Sequence, residues 1–316
     1  MLRRRALVLL TVFALSAVAL AGCLPGANRT FNGPDAGRTV PFKGFGVWWD
    51  VWDWSPSMGG GSAALGLGDV DRIAGQGAQT LYIQTATFRR DANVLDEPVL
   101  RSIIRRAHAR GMKVVGWYLP QFLDTKTDVR RLSAMVALGV DGIGIDIEST
   151  DNPDVADRTA KLLAEVQFLR LLHPDVPMAA IPVTPVIWEG LNRGWWPNFP
   201  YRELSKYFDA WMPMAYWSYR KTGSFSEWGD PYRYIAESVT QLRSLTGRPN
   251  LPVHPIGGEG IYHYSTGDVR MSVEDANAMA RAVAATGAIG GSIYDDRTTP
   301  ASIYPALAQM RRAQVK

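Results

Sequence analysis

The chain has 316 residues, of which 34 are Lys or Arg, 30 are Asp or Glu, four are His and one is Cys. Three of the basic residues fall within the first five positions, so the rest of the chain is close to neutral and gives no reason to expect nucleic-acid binding. A single Cys excludes an intramolecular disulfide, and four His without an HxH or HExxH spacing argue against a zinc site.

The N-terminus resembles the signal of a bacterial lipoprotein. Three Arg at positions 3–5 precede an apolar run over residues 6–21, and Leu-Ala-Gly stands directly before Cys23, as in a lipobox that ends in the lipidated Cys. A transmembrane anchor is the alternative, but the run is short and its flank does not fit. We expect a signal peptide over residues 1–22, a flexible tether over 23–41 and a folded domain over 42–316, anchored at Cys23 to the extracellular face of the membrane.

Strand-like and helix-like segments alternate along the rest of the chain. Apolar runs predict strands, and apolar residues at helical spacing, closed by Gly, predict helices. The predicted strands cover residues 45–49, 80–85, 113–119, 141–148, 178–183, 210–217, 252–256 and 288–294. The predicted helices cover residues 69–75, 98–110, 128–138, 154–172, 232–245, 273–285 and 303–312.

This alternation predicts an α/β fold with a parallel sheet, and eight units predict a closed (β/α)8 barrel, or TIM barrel. The alternative is an open doubly wound sheet, which usually carries a Gly-rich phosphate loop after its first strand. The triple Gly at positions 59–61 lacks that spacing. Walker and Gly-x-Ser-x-Gly motifs are also absent from the sequence.

Asp146 and Glu148 are the most informative residues of the chain. They lie two positions apart at the end of the fourth predicted strand, so their side chains share one face. Two adjacent carboxylates on a buried strand repel each other and are costly to desolvate. We therefore predict a catalytic role for the pair. The alternative is a structural pair that neighbouring Arg or Lys residues neutralise.

Polar and aromatic residues follow the other predicted strands, at the end of a barrel where active sites lie. Aromatic faces suit sugar rings and polar side chains suit hydroxyls, so we predict a saccharide-binding rim. The alternative is that the Trp residues only fill the loops. A divalent ion held by Asp146, Glu148 and Asp295 is a further alternative, although we predict no metal and no cofactor. The predicted binding residues are Trp48, Asp50, Gln84, Trp117, Trp217, Tyr294 and Asp295.

The fourth strand resembles the signature of family 18 glycoside hydrolases, the chitinase-like barrels, which is Asp-Gly-x-Asp-x-Asp-x-Glu. The segment 212–217, Met-Pro-Met-Ala-Tyr-Trp, is similar to their sixth strand. The resemblance implies that Glu148 is the general acid, that Asp146 positions the acetamido group of the substrate, and that Tyr216 donates a hydrogen bond to it. Gly144 stands where the family has its inner Asp, and Tyr294 where a Trp is usual.

A second glycosidase scheme would pair the acid Glu148 with Glu259, after the seventh strand, as nucleophile. A separation of about 5–5.5 Å would retain configuration, and about 6.5–9.5 Å would invert it. The sequence thus favours a surface-anchored, monomeric glycoside hydrolase that acts on a cell-wall or environmental polysaccharide. The missing inner Asp supports an alternative, a non-catalytic glycan-binding barrel of the cell envelope.

Overall fold

A computed structural model describes residues 37–221, 225–258, 260–264 and 267–314. The predicted signal peptide, Cys23, most of the predicted tether and Glu259 lie outside the described residues. Within the described ranges, no helix combines the length and the apolar character that crossing a membrane requires.

Eight parallel strands form the barrel, which confirms the predicted fold. The strands are β1 Gly44–Trp49, β2 Thr80–Gln84, β3 Lys113–Tyr118, β4 Gly142–Ile147, β5 Met178–Pro182, β6 Ala210–Trp211, β7 Ile256–Gly257 and β10 Gly290–Ile293. They pair in the order β6-β5-β4-β3-β2-β1-β10-β7. Single parallel bridges from Trp211 of β6 to Val253, and from Met214 to Ile256 of β7, close the ring.

The helices begin and end at the residue types that the sequence provides. Side chains of Asp124, Asp154, Asp230 and Ser272 accept hydrogen bonds from first-turn amides, which satisfies donors that the helix leaves open. Gly247 and Gly287 end two helices in the left-handed conformation. The helices are α1 Val51–Trp54, α2 Leu67–Gly75, α3 Glu97–Ala109, α4 Thr125–Val136, α5 Val155–Leu172, α6 Tyr201–Leu204, α7 Pro231–Thr246, α8 Val273–Thr286 and α9 Tyr304–Leu307.

Several segments differ from the sequence prediction. The sixth and seventh strands are only two residues long, because Pro213, Pro252 and Pro255 carry no amide hydrogen for the ladder. A short antiparallel hairpin, β8 Ile261–Tyr264 and β9 Gly267–Arg270, was not predicted and leads from β7 towards α8. The last predicted helix is split into α9 and a 3-10 segment over Ala308–Gln314.

Aromatic side chains fill the barrel interior. Trp48 stacks on Tyr82 with 4.5 Å between ring centroids, and Trp117 meets Trp48 edge-on at 5.6 Å. Tyr82 in turn contacts the ring of His254 at 5.5 Å. Such offset and edge-on pairs are favourable beyond the area they bury, so the barrel is a packed core beneath its open rim.

The chain before β1 closes the N-terminal end of the barrel. Phe42 is fully buried, and the carbonyl oxygen of Pro41 accepts a hydrogen bond from Thr80. Arg38 forms an ion pair with Asp209 at 2.8 Å. Residues 38–41, which the sequence assigns to the tether, are therefore part of the folded body.

Candidate active site

Asp146 and Glu148 face one open cavity of about 510 Å³ at the C-terminal end of the barrel strands. Asp146 lies on β4 beside Ile181 of β5, and Glu148 is the first residue after β4. The indole nitrogen of Trp195, in the loop after β5, donates to the Glu148 carbonyl oxygen at 2.9 Å. The pairing of β4 with β5 therefore fixes the backbone at Asp146, and the Trp195 hydrogen bond fixes it at Glu148.

Asp146 and Glu148 are not neutralised by an ion pair with any of the described residues. Within the described ranges, neither carboxylate forms an ion pair within 4.0 Å, and the Asp146 Oδ1 atom has no hydrogen-bond partner. Asp146 is only 7% exposed. The structure therefore does not show the neutralised structural pair that the sequence left open.

Burial sets the protonation of the pair. Desolvation raises the pKa of Asp146 well above its usual range, and the charge of Glu148 raises it further. Burial also raises the pKa of Glu148. Two carboxyls in one site share protons when neither is neutralised by a cation. The pair therefore keeps a proton at a pH where exposed carboxyls have lost theirs, as a general acid must.

Tyr216 lines the same cavity, two residues after the bridge at Met214. Burial raises the pKa of its hydroxyl well above 10, and electrostatic interactions with Tyr294, Glu148 and Asp146 raise it further. Tyr216 therefore remains protonated and can donate a hydrogen bond near the pair. Its ring lies 5.8 Å from the ring of Tyr294 and 5.8 Å from that of Tyr219.

The space beside Gly144 is filled by apolar atoms. A Cβ atom at this position would lie 2.7 Å from Ile181 Cδ1 and 3.3 Å from Trp117 Cβ. Contacts this short require a neighbour to move. The absence of an inner Asp is therefore matched by the packing around it, and Asp146 has Glu148 as its carboxylate neighbour.

The structure places the other predicted binding residues in two different environments. Asp50, Gln84, Trp117 and Tyr294 line the cavity with the carboxylates. Trp48 and Trp217 do not, since they are only 2% and 1% exposed. The Trp48 indole donates to Ser292 Oγ at 2.8 Å, and the Trp217 ring occupies the space beside Gly257. These two Trp residues belong to the packing.

Asp295 lies with Asp50 and Asp53 in an acidic cluster, and their carboxylate oxygens are within 4.8 Å of one another. Burial, then the charges of Asp50 and Asp295, raise the pKa of Asp53 to about 7. Arg297 lies 3.6 Å from Asp53, and the Tyr294 hydroxyl donates to Asp50 at 3.1 Å. This arrangement could ligate a cation, but it differs from the Asp146, Glu148 and Asp295 set considered from the sequence.

Sequence reasoning missed several residues that line the cavity. Trp195, Arg89 and Arg220 carry no motif that points to a site. Arg89 follows β2, and Arg220 ends a 3-10 helix over Trp217–Arg220. Loop residues escape periodicity arguments, because only the folded chain shows which loops meet.

No protein-family model matches the sequence, and no curated protein matches it. Solved structures match its fold. A C-terminal domain from Desulfitobacterium hafniense matches with a TM-score of 0.64 and 14% identity, over 86% of this chain and 99% of that one. A family 18 chitinase from Cycas revoluta, solved with allosamidin, matches with a TM-score of 0.61 and 10% identity, over 85% and 99%.

The spore cortex-lytic enzyme SleL of Bacillus cereus has a TM-score of 0.58 and 11% identity, over 84% of this chain and 74% of that one. The chain has the fold of the family 18 chitinase barrels. The resemblance predicted from the fourth strand is therefore confirmed at the level of the fold. At these identities the likeness supports the architecture, and the chemistry has to be argued from the site.

Proposed function

We propose that the protein is a glycoside hydrolase that acts outside the cell on a cell-wall or environmental polysaccharide, with Glu148 as general acid. The observation that carries the proposal is the carboxylate pair at the mouth of the barrel, which forms no ion pair among the described residues and faces an open cavity of about 510 Å³. A barrel of this kind carries its catalytic groups at this end. The fold shared with a family 18 chitinase agrees with the proposal.

The residues support a substrate-assisted mechanism. Glu148, whose pKa is raised by burial, gives its proton to the glycosidic oxygen as the bond to the anomeric carbon breaks. The acetamido oxygen of the same sugar attacks that carbon, and Asp146 and Tyr216 orient the acetamido group. The Glu148 carboxylate then takes a proton from the water that opens the cyclic intermediate, which returns Glu148 to its starting state.

The hydrolysis is tested with the complete chain on chitin, peptidoglycan and microbial or plant glucans. We expect reducing ends to accumulate with time on at least one N-acetylated polymer, and fully deacetylated chitin to be resistant. If saccharides quench Trp fluorescence but no product forms during long incubation, the proposal is wrong and the chain is a glycan-binding barrel. The apolar packing at Gly144 is the observation that favours this second function.

A comparison of two acids separates the two glycosidase schemes. The substrate-assisted scheme expects Glu148→Gln to be inactive and Glu259→Gln to retain its activity, because the acetamido group replaces the protein nucleophile. A loss of activity in both variants favours the scheme in which Glu259 is the nucleophile. Both schemes expect the first product, measured by NMR, to retain configuration, so an inverted product would contradict both a substrate-assisted reaction and a nucleophilic Glu259.

We also propose that the enzyme is anchored to the outer face of the cell membrane through a lipid on Cys23. The basic and apolar run that ends directly before Cys23 supports this location. Cys23→Ser should prevent lipidation, so a labelled fatty acid should be incorporated into the parent and not into the variant. Equal labelling of both proteins would contradict the anchor, whatever the outcome of the hydrolysis assays.

A further inference from the structure

Two arginines face the cavity that holds the carboxylate pair. Arg89 reaches it from the loop after β2, and Arg220 from the end of the 3-10 helix after β6. The other charged residues of the cavity lining are Asp50, Asp146 and Glu148. The cavity therefore has a negative centre and two positive side chains that belong to different loops.

Neither arginine neutralises a carboxylate of the described residues. Among the residues that the structure describes, Arg89 and Arg220 form no ion pair within 4.0 Å, whereas Arg72 and Arg170 each hold a buried carboxylate at 2.8 Å and 3.0 Å. The Nε atom of Arg220 is buried and has no hydrogen-bond partner in the part of the chain that the structure describes. A buried donor without an acceptor is unfavourable, so an acceptor from a ligand would stabilise this position.

The surroundings of the two arginines hold them in place. The guanidinium of Arg89 lies over the ring of Phe88 at 5.0 Å, and its amide donates to Thr87 Oγ1 at 3.3 Å. Arg220 lies 5.9 Å from the ring of Phe225 and lowers the pKa of the Tyr234 hydroxyl, although burial still raises that pKa to about 12. Each guanidinium group therefore lies beside an aromatic ring, and Arg220 also interacts with the Tyr234 hydroxyl.

A guanidinium group binds a carboxylate through two parallel hydrogen bonds, and burial strengthens such a pair. The neutral hydroxyls of a simple glucan or of chitin do not require two unpaired cations in the same cavity. The proton held by Asp146 and Glu148 reduces the negative charge at the centre, so an acidic sugar would meet less repulsion there.

We propose that the cleft selects a carboxylated glycan, and that Arg89 and Arg220 bind the carboxylates of sugars next to the one that is cleaved. This inference rests on the proposed function, because it names the substrate class of the same site. Two glycans supply the chemistry together with an acetamido sugar: one with alternating uronic acids, and one with the lactyl ether of muramic acid.

Binding is measured in the Glu148→Gln background of the complete chain, so that turnover does not change the ligand. The first probe is a hyaluronan hexasaccharide, compared with the same oligosaccharide after reduction of its carboxylates to alcohols. The second probe is a peptide-free peptidoglycan strand, compared with its carboxyl-reduced form. We expect the carboxylated member of at least one pair to bind about tenfold more tightly, with a preference that falls as salt increases.

The variants Arg89→Gln and Arg220→Gln should each reduce this preference, and together they should abolish it while the affinity for the reduced ligand is unchanged. Arg90→Gln is the matched control, because Arg90 is exposed in the same loop and does not line the cavity. Equal affinities within both pairs would overturn the inference, as would failure of all the ligands to bind. An equal loss of preference in Arg90→Gln would also overturn it. Since Arg89 is exposed, its variant tests the inference even if Arg220→Gln does not fold.

The results separate this inference from the proposed hydrolase. A carboxylate preference that depends on Arg89 and Arg220, without any hydrolysis by the parent, would support the inference and contradict the enzyme. Hydrolysis of chitin by the parent, with no preference between the paired ligands, would support the enzyme and contradict the inference.

Discussion

Asp146 and Asp209 are buried carboxylates at opposite ends of the same barrel, and they have opposite environments. Asp209 precedes β6 at the N-terminal end and is fully buried. It accepts from Arg38 at 2.8 Å, from Arg170 at 3.0 Å and from the Met178 amide at 3.0 Å. Asp146 faces the open end, with Glu148 as its charged neighbour. A saturated carboxylate holds the fold together, whereas an unsaturated one at the rim remains available for chemistry.

Glu165 shows that missing partners alone do not indicate a site. It is fully buried in α5, neither of its carboxylate oxygens has a hydrogen-bond partner among the described residues, and burial raises its pKa well above the usual range. However, it does not line the cavity of Asp146 and Glu148. The feature that distinguishes Asp146 is the combination of an unsatisfied carboxylate with access to a cavity at the catalytic end.

The largest effect on stability is expected from Asp209→Ala. The change leaves Arg170 buried without its carboxylate, and breaking a buried pair in this way costs about 3–5 kcal/mol. Urea denaturation measures the loss. Arg38→Ala is the control and should cost much less, because Arg38 is partly exposed and Arg170 keeps its partner. Equal losses in the two variants would contradict the structural role assigned to Asp209.

Gly144→Asp restores the inner carboxylate of the chitinase-like signature, and it should destabilise the fold by about 1–3 kcal/mol because the space is occupied. Ile181→Val removes the Cδ1 atom that lies 2.7 Å from the added Cβ. The double variant should therefore lose less stability than the sum of the two single variants, as a double-mutant cycle in urea would show. Strict additivity would mean that Ile181 does not fill the site.

Glu165→Met should stabilise the fold by about 1 kcal/mol, since it removes a buried polar group that lacks partners. Hydrolysis should be unchanged, because Glu165 does not line the cavity. Thermal unfolding and a rate assay with the best polysaccharide measure both properties. A loss of activity at unchanged stability would show that Glu165 has a functional role. Access to the cavity would then not distinguish Asp146 from Glu165.

Asp146→Asn should change stability least at low pH and increasingly stabilise the fold as pH rises. Because the pKa of Asp146 is higher in the folded chain than in the unfolded chain, the parent loses stability as pH rises from about 4 towards the folded pKa. The Asn variant lacks this loss. Its stability advantage over the parent, measured by denaturation from pH 4 to pH 8, should therefore increase with pH. A stability advantage that decreases with pH would contradict the raised pKa of Asp146 in the folded chain.

The sequence predicted the barrel well because its signals are local. Period-two runs, Asp or Ser caps and closing Gly residues are each set by neighbours in the chain. The same reasoning overestimated strands that contain Pro213 or Pro252, and it assigned Trp48 and Trp217 to the rim. Position along a strand predicts the end of the barrel at which a side chain lies, but its depth depends on the packing of other strands.

The candidate site was only partly accessible to sequence reasoning. The spacing of Asp146 and Glu148 identified the pair, and the alternation of the strand placed both on one side. Arg89 and Arg220 could not be identified, since they lie in loops that are far apart in the sequence and line the same cavity only in the folded barrel. The absence of an ion pair to Asp146 among the described residues could likewise not be predicted, because the sequence does not show which side chains line the cavity.

The most direct test of the proposed general acid is to measure the rate of polysaccharide hydrolysis by Glu148→Gln. The rate is measured under conditions where the variant and the parent have the same melting temperature. Glu227→Gln is the matched control, because Glu227 is exposed and does not line the cavity. We expect Glu148→Gln to lower the rate of hydrolysis by about 10²–10⁴-fold with little change in the melting temperature, and we expect the control to retain full activity. A Glu148→Gln variant that releases reducing ends as fast as the parent would contradict the role of Glu148 as general acid.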